Sequence, residues 1–154
     1  MDSNNIEIEF NGQLYDSVKS IRQVFDSSKT YGPHITIDCD KCQHLTIVDE
    51  ENVKELLVDL ARHINMNIIG GPYTGTYKEE VRSYLWGISG LLLVAESHIA
   101  IHTYPHPERN YALLDVFSCK YFDVLETLQF VIERLSPKYV FLNFVLRGSR
   151  FKVT

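Results

Sequence analysis

The sequence predicts an α+β fold, a two-layer sandwich in which helices cover one face of a mostly antiparallel sheet. Strand-like segments in the second half follow one another with only short turns between them, which suits antiparallel pairing. Two segments, 49–64 and 121–135, each carry one apolar stripe and so have one face to bury. The 154 residues, 45% hydrophobic and 23% charged, suffice for one domain around one core.

In chain order, Ile6 to Phe10 alternates apolar and acidic residues, as a half-buried strand does. Tyr15 to Phe25 sets Val18, Ile21 and Phe25 at helical spacing, predicting a short helix. His34 to Asp38 is β-branched and predicts a strand. Asp49 to Ile64 opens with acids and aligns Val53, Leu56, Leu57, Leu60 and Ile64, predicting a long helix. Met66 to Ile69 reads as a strand that Gly70-Gly71-Pro72 breaks. Gly90 to Ala95, Ile99 to Tyr104 and Tyr111 to Phe117 predict three further strands. Tyr121 to Leu135 predicts a second long helix, ended before Pro137, and Tyr139 to Leu146 a last strand. No repeat, low-complexity tract or linker divides the chain, so 1–154 is expected to be a single domain.

The formal net charge of -5 argues against a nucleic-acid partner and leaves room for a cationic small molecule. No apolar run reaches the roughly eighteen residues of a membrane span. The start, Met1-Asp2-Ser3-Asn4-Asn5, is polar and acidic, unlike a secretory signal, so a cytoplasmic location is expected. Cys39, Cys42 and Cys119 are too few and too uneven to read as a disulfide framework.

Glu96-Ser97-His98 stands between two strand signals, and by pattern alone it is a tight turn. His98, His102 and His106 would align as metal ligands on a helix. Ile99, Ile101 and Pro105 favour a strand instead, which puts His98 and His102 on one face and leaves no metal site expected. Cys39-Asp40-Lys41-Cys42 lacks the second pair that zinc needs. It follows a strand rather than opening a helix, so it reads as two unrelated cysteines. Cys119, taken alone, reads as a buried core cysteine.

The run Ala95-Glu96-Ser97-His98-Ile99-Ala100-Ile101-His102-Thr103-Tyr104-Pro105, followed by Tyr111-Ala112-Leu113-Leu114-Asp115-Val116-Phe117-Ser118-Cys119, resembles the prokaryotic S-adenosylmethionine decarboxylase family. His34 to Asp38, with Cys42 beyond, is similar to that family's N-terminal strand. The similarity spans roughly 34–148 and leaves residues 1–30 as an extension outside it. The resemblance implies a proenzyme that makes its own cofactor. Ser97 would attack the carbonyl of Glu96, exchanging an amide for an ester. β-Elimination and hydrolysis would leave a β chain, 1–96, and an α chain, 97–154, that begins with a pyruvoyl group. Substrate amine would form a Schiff base with that ketone, so neither pyridoxal phosphate nor a metal is called for. By the same resemblance Ser89 and His102 assist processing, and Cys119 donates the proton to the product.

Where members of the family that use S-adenosylmethionine carry a stacking phenylalanine and a Pro-Gln pair, this chain has Ser83 and Leu85-Trp86. Tyr84 or Trp86 would have to restore the stack, worth about 1–3 kcal/mol for a base on a ring. The family's ribose-binding glutamate has only Glu108 as a shifted match. Relatives that decarboxylate arginine or ornithine offer a second reading, in which Asp38, Asp40 or Glu108 would bind the cationic tail. Each substrate is a small amino-acid-type molecule, and each reaction belongs to polyamine biosynthesis. A non-processing regulatory paralogue is disfavoured because Ser89, Ser97, His102 and Cys119 are all present. The resemblance also implies a homo-oligomer, commonly a dimer packed sheet to sheet with its sites near the interface.

Overall fold

The computed structural model describes residues 6–12, 21–28, 30–82, 84–106 and 108–148. Among these residues the strands are β1 (Glu7–Gly12), β2 (Gly32–Asp40), β3 (Ile68–Lys78), β4 (Trp86–Val94), β5 (Ser97–Tyr104), β6 (Tyr111–Ser118) and β7 (Tyr139–Arg147). The helices are α1 (Ile21–Ser27), α2 (His44–Ile47), α3 (Glu50–His63) and α4 (Val124–Leu135). The strands form one sheet in the order β1-β7-β2-β6-β5-β4-β3. Every pairing is antiparallel except that of β1 with β7.

The two long helices start where their chemistry starts. The Asp49 carboxylate accepts the amides of Glu51 and Asn52 at 2.9 and 3.1 Å, capping α3. Asp123 caps α4 by accepting the Glu126 amide at 3.0 Å. Acidic residues in the first turns and Arg62, His63 and Arg134 in the last ones complement the helix dipoles. Val53, Leu56, Leu57 and Leu60 of α3, and Leu128, Val131 and Leu135 of α4, are buried against the sheet. They meet Ile35, Ile37, Ile88, Leu92, Ile99, Ile101, Leu114, Val116 and Leu142, the inward side of the period-2 alternation. Gly90 lets α3 lie close on β4, since a Cβ there would stand 2.9 Å from Leu57 Cδ1.

Among the described residues the opposite sheet face carries no helix. It presents His34, Ser89, His98, His102, Asp115 and Phe117, all partly or well exposed. The α+β sandwich expected from the sequence is thus the fold observed. The segment Gly70-Gly71-Pro72 departs from expectation: β3 is not broken there but runs through it. Two register irregularities absorb the φ of 88° at Gly71, and pairing with β4 continues to Lys78. The expected helix at 15–25 is seen from Ile21 onward. Its first part, like Met1 to Asn5, lies outside the described residues. The short helix α2 and the parallel edge pairing of β1 had no periodic signal to announce them. Among the described residues no helix is long and apolar enough to cross a membrane.

Candidate active site

Val94 and Ser97 are paired, so Ala95 and Glu96 form the tight turn between β4 and β5. Ser97 has a φ of 155°, a region that L residues avoid and that costs about 1–3 kcal/mol. The surroundings fix the turn in place. The buried Glu96 carboxylate accepts the backbone amide of Asn67 at 3.0 Å and its side-chain amide at 2.7 Å. The Asn67 carbonyl accepts the Ala95 amide at 2.8 Å. The Glu96 carbonyl accepts the Cys119 amide at 2.9 Å. Burial pushes the Glu96 acid up, but the Asn67 amides, its own backbone and the charge of Lys120 outweigh this and hold it below the usual range.

A line of polar groups ends at the Ser97 hydroxyl. Its Oγ lies 3.3 Å from His98 Nδ1. His98 Nε2 lies 3.0 Å from Asp115 Oδ1, and His34 Nε2 lies 2.8 Å from Asp115 Oδ2. The sheet register explains the geometry. His98 and His34 both stand opposite Phe117, from β5 and β2 on either side of β6, and Asp115 stands two residues before Phe117 on the same face. Burial pushes the Asp115 acid up, but the two histidines pull it below its ordinary value.

Cys119 is exposed, which corrects the reading of it as a core cysteine. It follows the last residue of β6. There Ser118, buried and bonded to both the carbonyl and the amide of Lys120, turns the chain outward.

Ser89 and His102 are direct cross-strand partners, with Oγ and Nδ1 2.8 Å apart. The chain does not bring them to Ser97. On a strand rising ~3.3 Å per residue, His102 lies about 16 Å from it along β5. Tyr84 and Trp86 lie farther still. With Tyr77, Glu79, Leu85, Tyr104, Pro105, His106 and Tyr111 they line a cavity of about 390 Å³ at the far end of β5. Glu108 is exposed beyond that cavity, its amide donating to His106 Nδ1 at 3.2 Å. Ser83 lies outside the described residues.

Asp38 and Asp40 line a different cavity of about 420 Å³, together with Glu7 and Glu9, and Glu108 does not join them. Burial raises the Asp38 acid, whereas Arg109, bonded at 2.6 Å, lowers that of Asp40. Cys39 and Cys42 are both buried. A hydrogen bond from Cys42, then burial, pushes the Cys39 thiol up. Among the described residues no three His, Cys, Asp or Glu side chains are arranged to hold a metal ion. The residues that the sequence pattern did not single out are Asn67, His34 and Asp115. Asp115 had one signal, since it is the acid on the outward side of an otherwise apolar strand.

A peptide bond held at its carbonyl, kept in an unfavourable backbone geometry and followed by a serine on a histidine, fits a protein that cuts its own chain at a serine. Residues 33–148 match the S-adenosylmethionine decarboxylase family, and the chain belongs to that family. It is 29% identical over 120 residues to the S-adenosylmethionine decarboxylase proenzyme of Pyrococcus furiosus, covering 77% of this chain and 80% of that one. With the Clostridium botulinum proenzyme it shares 33% identity over 122 residues, 79% of this chain and 97% of that one. The crystal structure of the adenosylmethionine decarboxylase from Aquifex aeolicus superposes with a TM-score of 0.65 at 28% identity, covering 82% of this chain and 98% of that one.

Proposed function

We propose that this chain cuts itself between Glu96 and Ser97 and then decarboxylates S-adenosylmethionine, with a pyruvoyl group derived from Ser97, in polyamine biosynthesis. The observation that carries the reading is the Glu96 carbonyl held by the Cys119 amide at 2.9 Å, directly before the strained Ser97. An amide donor on that oxygen stabilises the charge that develops when a hydroxyl attacks the carbon. The residues present suit the pyruvoyl group. Residue 97 has the β-hydroxyl that both the ester and the elimination require, and it stands part-exposed at the start of β5. The ketone supplies the electron sink for the pair left when carbon dioxide departs. Cys119, exposed and joined to residue 96 through its amide, is the proton donor to the product carbon.

The pair Ser89–His102 completes the reading through a second copy of the chain. Elimination needs a base at the α carbon of residue 97, and His102 of the same chain is about 16 Å away. His102 lies on the uncovered sheet face, so a copy packed sheet to sheet would carry its own Ser89–His102 pair toward the Ser97 end of this one. The aromatic cavity holding Tyr84 and Trp86 is the place on each copy to stack an adenine, with Glu108 at its margin. A cytoplasmic location goes with such a metabolic role.

The test is the intact mass of the purified protein, with carbon dioxide release measured from S-adenosylmethionine, arginine and ornithine in parallel. Two fragments, 1–96 and 97–154, the latter ketone-reactive, and release from S-adenosylmethionine alone are expected. Release from arginine or ornithine would replace the substrate, and the fragments would still establish the pyruvoyl enzyme. A single inert chain would overturn the reading in favour of a non-processing paralogue.

A further inference from the structure

We propose that His98 is the base that activates Ser97 for self-cleavage, with Asp115 holding its tautomer and His34 positioning Asp115; this rests on the reading of Ser97 as the processed serine. Among the described residues His98 is the base hydrogen-bonded to the Ser97 hydroxyl, at 3.3 Å. His102 of the same chain is about 16 Å distant along the strand and cannot do this.

The tautomer follows from the partners. An ionised carboxylate only accepts hydrogen bonds. Asp115 takes His98 on one oxygen and His34 on the other, at 3.0 and 2.8 Å, so both Nε2 atoms carry their proton. His98 Nδ1 is then the bare nitrogen, and it is the one facing Ser97 Oγ. The Phe117 ring lies between the two imidazoles, with centroids 5.4 Å from His34 and 5.9 Å from His98, and keeps them apart on either side of Asp115.

The step balances within these groups. The Ser97 hydroxyl proton passes to His98 Nδ1 as Oγ bonds to the Glu96 carbonyl carbon. The carbonyl pair moves onto oxygen, which accepts the hydrogen bond that the Cys119 amide donates. When the carbonyl re-forms, the bond from Glu96 carbon to Ser97 nitrogen breaks. That nitrogen takes the proton back from His98. The product is an ester on Ser97 Oγ with a free amine, and His98 is neutral again. His98 is therefore a catalytic residue of processing, Asp115 and His34 are positioning residues, and His102 is left for the later elimination.

Hydroxylamine separates the two steps, because it cuts an ester and spares an amide. The wild-type chain should cleave on its own. His102→Ala should stop at a link that hydroxylamine cuts. His98→Ala should remain one chain that hydroxylamine leaves intact, slowed about 10²-fold or more, with added imidazole restoring part of the rate. Asp115→Asn should slow cleavage alone but add nothing on top of His98→Ala, since it acts through that imidazole. His34→Gln should have the smaller effect of a residue one bond removed.

A purely structural role for His98 would give neither imidazole rescue nor non-additivity with Asp115. If His98→Ala fails to fold by circular dichroism, the isosteric Asp115→Asn decides, by its rate and by the absence of the hydroxylamine-sensitive link. His98→Ala cleaving at the wild-type rate, or accumulating that link, would overturn the proposal while leaving Ser97 as the processed residue. A wild-type chain that never splits at Glu96/Ser97 would overturn the assignment of Ser97 itself.

Discussion

The Cys119 amide donates to the Glu96 carbonyl at 2.9 Å, tying the exit of β6 to the turn between β4 and β5. One contact therefore places the proposed proton donor beside the Glu96–Ser97 bond, the proposed cleavage point, and polarises that bond's carbonyl.

Gly32 is what lets the contact form. A Cβ on it would collide with the Ser118 carbonyl and stand 2.8 Å from the Cys119 Cα. Gly32→Ala should push the Cys119 amide off the Glu96 oxygen. Loss of a donor of this kind lowers rates by about 10²–10³-fold. Overpacking of this kind lowers stability by about 1–3 kcal/mol. The half-time of chain splitting and the urea midpoint measure the two effects. An unchanged half-time would show that the amide contact is dispensable.

Glu96 links the same turn to acid stability. Its acid is held below the ordinary value, near 4.3 for a free glutamate. The folded state therefore gains stability from its charge above that value and loses it as the pH falls through the lowered one. In an uncleavable Ser97→Ala chain, the Tm should drop across this acid range. Adding Glu96→Gln should flatten the drop, since an amide cannot titrate. Asp115 and Asp40 also titrate low, so the difference between the two profiles is the measurement. Profiles that superpose would remove Glu96 from the acid response.

How much of this was legible in the sequence depends on the range of the interaction. The stripes of α3 and α4 and the alternation of β5 and β6 are local, and they predicted the sandwich and put His98 and His102 on one face. The path of β3 through Gly71 and Pro72 was not legible, because the local breaker signal is outweighed by pairing with β4. The partnership of His34 with Asp115 depends on which strands neighbour β6, and periodicity carries no such information. Asn67 is a loop residue whose role appears only once its amides meet Glu96. The separation of Ser89–His102 from Ser97 was hidden for the opposite reason. Residues grouped in one motif look adjacent, yet an extended strand spreads them far apart.

The aromatic cavity around Trp86 makes a prediction that is independent of chain splitting. Trp86 is half-buried at the start of β4, far from Ser97. If it stacks on the adenine, Trp86→Ala should leave the cleavage rate within about twofold. It should raise KM for S-adenosylmethionine by about tenfold to a hundredfold, the equivalent of ~1–3 kcal/mol of stacking. Steady-state carbon dioxide release on the fully split variant reads this directly. A change in kcat with KM untouched would place Trp86 elsewhere than against the base.

The division of the processing groups into two distant clusters makes the sharpest prediction. A chain carrying His102→Ala keeps its own Ser97, Glu96 and Cys119 but lacks the proposed elimination base. A chain carrying Ser97→Ala cannot be cut but keeps Ser89 and His102. Alone, neither should yield a pyruvoyl α chain. Co-expressed with different tags, they should form mixed pairs in which the Ser97→Ala chain lends its His102 across the sheet faces to the other. The His102→Ala chain should then split at Glu96/Ser97, up to the fraction held in mixed pairs, while the Ser97→Ala chain stays whole. Mass spectrometry of the separated tags tells the two apart. No splitting in a mixture shown to contain mixed pairs would mean that His102 acts within its own chain. The β5 strand would then have to bend or leave the sheet to close about 16 Å, which its pairing on both sides with β4 and β6 opposes.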